Sequence, residues 1–194
     1  MTKRNPDLTK EKNEWNIYIM LCFFITSFLL KSVFGMISGS KSLLVSGVFA
    51  LFGVFTAVVI LARMQAFHPK SKMAAYLNYG KFEFIIIFGI SVIIALSTGA
   101  IIFSISHMIF FHAIYPPKLL AAWIAIFTAS LGLCVMIWIK KHITGGLESS
   151  EAEIMSVFDM DFMLSILAVI TVLISRIGLA VLDYGCAIFI AFFV

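Results

Sequence analysis

The chain has 194 residues and a net charge of +4, from 14 Lys+Arg against 10 Asp+Glu. It is 62% hydrophobic and 12% charged, with a mean hydropathy of +1.08. Soluble domains run at roughly 45–50% apolar and about 25% charged, so a soluble globular enzyme is excluded and an all-α integral membrane protein is expected.

Residues 1–14 (MTKRNPDLTKEKNE) are polar and of mixed charge, a cytoplasmic tail with no apolar core of a cleavable signal. The membrane domain covers 15–194. Its first apolar run starts at Trp15 and ends near Ile37; the second runs from Ser42 to Ala62 and the third from Phe84 to Ile109. A fourth spans Leu119 to Ile139, between Pro116-Pro117 and Lys140-Lys141, and a fifth runs from Met160 to Leu182. Each is close to the ~20 residues that a helix needs to cross about 30 Å of hydrocarbon. Backbone groups in lipid must be satisfied within the segment, and the alternation of a barrel strand is missing, so the runs are helices. A sixth run, Tyr184 to Val194, makes only about 17 Å of helix. It is expected to be a truncated last helix, or else a short one ending inside the bilayer against its neighbours. No C-terminal cytoplasmic domain is expected after it.

Ten of the fourteen basic residues fall in the N-terminal tail (Lys3, Arg4, Lys10, Lys12), the second-to-third loop (Arg63, Lys70, Lys72, Lys81) and the fourth-to-fifth loop (Lys140, Lys141). The positive-inside rule therefore places the N-terminus and those loops in the cytoplasm. Lys31 and Arg176, near the outer ends of their helices, are expected to snorkel to the headgroups. The cysteines Cys22, Cys134 and Cys186 lie in apolar runs without CxxC spacing and read as buried thiols.

Ionisable residues at membrane depth are functional candidates, because each is costly if unpaired. Asp159 and Asp161 open the expected fifth helix about 200° apart, so they cannot share a face. Asp161 aligns with Val157 and Glu153 on a stripe that could face a cavity; the alternative for both acids is compensation of the helix dipole, which also suits Glu83. Asp183 falls between helices five and six as a turn or N-cap residue. His107 and His112, five apart, suit interfacial packing, and His68 and His142 carry no ligand pattern. Ser42, Ser46, Ala50, Gly53 and Ala57 form a seam of small residues on which another helix can approach closely. Walker A, HExxH, GxSxG and CxxC motifs are missing from the sequence, so no enzyme chemistry is expected.

Taken in order, these pieces resemble the cation diffusion facilitator (cation efflux) family. The resemblance rests on the entry to helix two (Ser38-Gly39-Ser40-Lys41-Ser42-Leu43-Leu44) and the opening of helix three (Tyr79-Gly80-Lys81-Phe82-Glu83). Lys31, the Leu167-Ala168-Val169 stretch after an acid on helix five, and Asp183 leading into helix six extend it over roughly residues 15–194. It implies a six-helix, dimeric, multi-pass protein, expected in a bacterial cytoplasmic membrane, that exports zinc, iron, manganese or related divalent ions in exchange for protons. No resident cofactor and no nucleic-acid partner are implied.

The family's transport site uses an Asp or His pair at i,i+4 on helix two and a His/Asp pair at i,i+4 on helix five. Carried over, those positions are Ser46 and Ala50, then Val157 and Asp161. The His often found before helix three maps onto Tyr79, and Asn78 stands where Gly is usual. The candidate metal ligands are thus Asp161, then Ser46 and Asp159. Zinc-like ions want about four ligands at ~2.0–2.2 Å, so one carboxylate and one hydroxyl make a degenerate site. Two functions are expected from this: transport of divalent cations centred on Asp161, or a transport-silent scaffold or regulatory subunit that pairs with a complete paralogue.

Overall fold

The computed structural model describes residues 6–66, 79–111, 114–142 and 148–193, and the described residues are helical throughout apart from short turns. Six helices follow in order: α1 (Pro6–Ser38), α2 (Lys41–Ala66), α3 (Tyr79–Phe110), α4 (Leu120–His142), α5 (Glu148–Arg176) and α6 (Val181–Phe193). Five contain segments long and apolar enough to cross a membrane: Glu14–Ser38, Lys41–Ala62, Ser91–Phe110, Leu120–His142 and Ala152–Arg176. α6 is a shorter apolar helix, as expected of the sixth run.

The helix breaks have local causes. α1 stops where Gly39 takes φ 75°, a left-handed conformation that glycine adopts without strain. Ser40 then caps α2: its hydroxyl accepts from the Leu43 N–H at 3.3 Å, three residues on. Gly178, at φ 112°, makes the corresponding break between α5 and α6. This break ends the fifth helix at Arg176, short of the apolar run, which continues to Leu182. At its other end α5 begins at Glu148, a dozen residues before Met160, because the polar segment Glu148-Ser149-Ser150-Glu151 is itself helical. Asp159 and Asp161 are therefore interior to the helix, and dipole compensation no longer explains them, since that effect fades beyond the first turn.

α2 is the central element, packing on α1, α3, α5 and α6; α4 packs on α1 and α5. Its small-residue seam is buried as expected, with Ser42, Ser46, Ala50 and Ala57 all at 0% exposure. A Cβ on Gly53 would come within 2.3 Å of the Phe24 ring, and one on Gly47 within 3.1 Å of Lys31 Cβ. Small residues thus bring the α1 and α2 backbones close. In lipid, where apolar burial itself gives little, such close dispersion contact is what favours helix association.

Three apolar clusters result. The first joins Phe23 and Phe24 of α1 to Ala50 and Ala57 of α2 and Phe158 of α5. The rings of Phe24 and Phe158 lie 4.8 Å apart, and those of Phe23 and Phe158 5.4 Å. The second gathers Phe49, Ile105, Leu164 and the inward face of α6. The third packs Leu43 against Ala121, Ala125, Ala168 and Val172. Large apolar side chains cover the outside, among them Phe84, Phe88, Leu96 and Phe103 of α3, which suits a lipid surround. Trp15 and Trp138 are exposed near one end of the crossings, and Tyr115 and Trp123 near the other, the distribution of interfacial aromatic belts.

The cysteines depart from expectation. Cys22 and Cys134 are exposed, on helix faces turned away from the bundle, and Cys186 is half-buried. An apolar run in lipid has two apolar faces, so hydropathy alone does not tell a core thiol from a lipid-facing one.

Candidate functional site

Asp161 lies on α5, one turn beyond the aromatic cluster at Phe158 and about two turns before Ala168 of the third cluster. Its side chain is 3% exposed, and Oδ1 accepts from Lys31 Nζ at 2.6 Å. The Lys31 side chain is fully buried. The expected snorkelling of Lys31 is thereby corrected. Its Cβ faces α2 at Gly47, and a helical side chain leans back toward its own N-terminus, here into the bundle and away from the near end of α1. Arg176, by contrast, is exposed at the end of α5.

The pair joins α1 to α5 between two apolar layers, where neither charge is reached by solvent. A lone charge there is expensive, and mutual neutralisation at hydrogen-bond distance removes most of that cost. Other polar groups share this level. The Ser165 hydroxyl donates to the Asp161 backbone carbonyl at 2.7 Å. Ser27, one turn before Lys31 on the same face of α1, is 1% exposed, and its hydroxyl is without a partner.

The other expected ligand positions are occupied differently. Ser46 is fully buried, and its hydroxyl donates to the Leu43 carbonyl of its own helix at 2.9 Å. Ala50 belongs to the aromatic cluster, and Val157 packs against it. Asp159 is exposed on a different face of α5 and does not join Asp161, as the 200° separation requires. Glu153 is exposed as well. No group of three or more His, Cys, Asp or Glu is gathered among the described residues. Tyr79 is the first residue of α3, whereas Asn78, His68 and His112 lie outside the described residues. His107 is exposed and packs against Phe111 with tilted rings, 4.4 Å between centroids, in keeping with interfacial packing.

A second buried carboxylate organises the end of the bundle where α1 meets α2 and α5 meets α6. Asp183, in the first turn of α6, is fully buried. It caps α2 rather than its own helix: Oδ2 accepts from the Lys41 N–H at 2.7 Å, and Oδ1 accepts from the hydroxyls of Ser40 (3.1 Å) and Ser42. Ser42 in turn bonds Thr171 of α5 at 3.1 Å. The carboxylate sits at the positive end of the α2 dipole and satisfies donors that would otherwise be stranded. This network ties α2, α5 and α6 together and accounts structurally for the Ser-Gly-Ser-Lys-Ser segment.

Lys31 is the member of the site that sequence reasoning placed elsewhere. A lysine seven residues inside the end of a spanning segment, with Ser27 one turn before it and Gly47 able to receive its stem, was the available signal. Compared with known proteins, no family model matches the chain, and no curated protein matches it.

Proposed function

We propose that this chain is a membrane transport domain of the cation-efflux type, in which Asp161 handles the transported cation. The carrying observation is the buried Lys31–Asp161 pair inside a bundle of membrane-crossing helices. Two well-packed apolar residues would serve assembly at least as well as such a pair, and often better. The presence of a buried ion pair at membrane depth therefore favours a role in moving charge. The residue-by-residue resemblance adds support, since Asp161 is the one position of that site still able to bind a metal ion. The proposed substrate is a divalent metal cation, exchanged for protons. The remaining coordination is supplied by water or by a second copy of the chain. The N-terminus is proposed to be cytoplasmic, on the distribution of Lys and Arg.

A second reading has its own support. Ala50 and Val157 are packed into the aromatic cluster, and the Ser46 hydroxyl is committed to its own helix. That arrangement suits a transport-silent subunit paired with a complete paralogue. Flux of Zn²⁺, Mn²⁺, Fe²⁺, Co²⁺ and Cd²⁺ into proteoliposomes holding only this chain, under a pH gradient, separates the two. Saturable, gradient-driven uptake supports transport; none from correctly folded protein favours the silent subunit.

A further inference from the structure

We infer that Lys31 is a tethered competitor for the cation site, its ammonium holding the Asp161 carboxylate until an incoming cation displaces it. The inference rests on the proposed role of Asp161 and says what regulates access to it.

The geometry supplies three parts of the argument. First, Lys31 Nζ lies 2.6 Å from Asp161 Oδ1, direct contact with the oxygen that a metal ion would need. The two occupants are mutually exclusive there: a cation at its own bonding distance of about 2.0–2.2 Å from that oxygen repels the ammonium and takes its place. Second, a lysine suits displacement. It offers a compact charge on a flexible four-carbon stem, where an arginine would grip the carboxylate with a rigid two-pronged fork. Third, the displaced ammonium has somewhere to go. Ser27 lies one turn back along α1, on the side toward which the Lys31 stem leans, with a buried hydroxyl that has no partner. At rest the pair is electrically neutral, so the empty carrier does not leave an open carboxylate in the bilayer.

Competition makes predictions that a purely structural ion pair does not. Affinity for Mn²⁺ or Zn²⁺ alone is measured by titration of the purified full chain in detergent, alongside its unfolding midpoint. In Lys31→Gln the competitor is gone, and apparent affinity rises at least about tenfold, equivalent to about 1.4 kcal/mol. In Lys31→Arg the charge stays but the grip tightens, and affinity falls by at least a similar factor. Asp161→Asn abolishes binding in every background. Ser27→Ala weakens binding, because the released ammonium loses its acceptor.

Asp161-dependent binding that is the same in the native, Gln and Arg chains overturns the competitor role and leaves the transport reading intact. Binding that ignores Asp161, or that never occurs, overturns the transport reading and the competitor role with it. Should Lys31→Gln fail to fold, Lys31→Arg decides, since it keeps the charge. Unchanged or tighter binding in the Arg chain counts against the proposal.

Discussion

Breaking the buried pair one partner at a time, then both together, gives an energy pattern that the geometry fixes in advance. At an effective dielectric of about 20, unit charges 2.6 Å apart attract by about 6 kcal/mol. Taking each ion out of water costs several kcal/mol, so the intact pair contributes little net stability. Lys31→Met removes the attraction but leaves the carboxylate buried, with a penalty of about 3–5 kcal/mol; Asp161→Asn strands the ammonium at a similar cost. The double variant removes both charges and should lie within about 1 kcal/mol of the native chain, or be more stable. The cycle therefore yields a coupling of at least about 5 kcal/mol. Reversible unfolding in mixed micelles, followed by helicity as the denaturing detergent fraction rises, measures all four proteins. Single variants that each lose under about 1 kcal/mol, or a double variant as unstable as the sum of the singles, would refute a desolvated, directly coupled pair.

Four further predictions concern packing and polar contacts elsewhere in the bundle. Gly53→Ala should destabilise by about 1–3 kcal/mol, since its Cβ would come within 2.3 Å of Phe24. Gly99→Ala, whose Cβ would meet nothing within 4 Å, should be neutral or stabilising by up to about 1 kcal/mol in the same assay. Asp183→Ala strands the Lys41 N–H and two serine hydroxyls, at an expected cost of about 2–4 kcal/mol. Protease cleavage should then increase first at the α5–α6 junction, and equal protection of that junction in both proteins would contradict the capping role. Ser46→Ala should cost under about 1 kcal/mol and leave cation flux unaltered, because the hydroxyl serves only its own helix; loss of flux would return Ser46 to the cation site.

The number and order of the helices were legible from hydropathy alone, because a membrane demands about 20 apolar residues per crossing whatever the helices pack against. The buried face of α2 was legible too: small residues at intervals of three and four serve close packing. Hydropathy could not tell which face of an apolar helix meets protein, so Cys22 and Cys134 were assigned to the wrong side. Helix ends were harder still. Glu148–Met155 continues α5 through a polar stretch, which moved Asp161 from the first turn to the helix interior and changed its physical meaning. Half of the candidate site was visible in Asp161. Its partner was not, since Lys31 lies 130 residues away and only the tertiary fold brings the two helices together.

Whether Asp161 carries the transported cation is decided by Asp161-dependent flux. Native chain and Asp161→Asn should be reconstituted separately at matched orientation and density, and uptake of the divalent cations followed under an imposed pH gradient. Saturable uptake is expected from the native chain and none from Asp161→Asn, with both proteins folded. Equal uptake by the two proteins would contradict that role of Asp161.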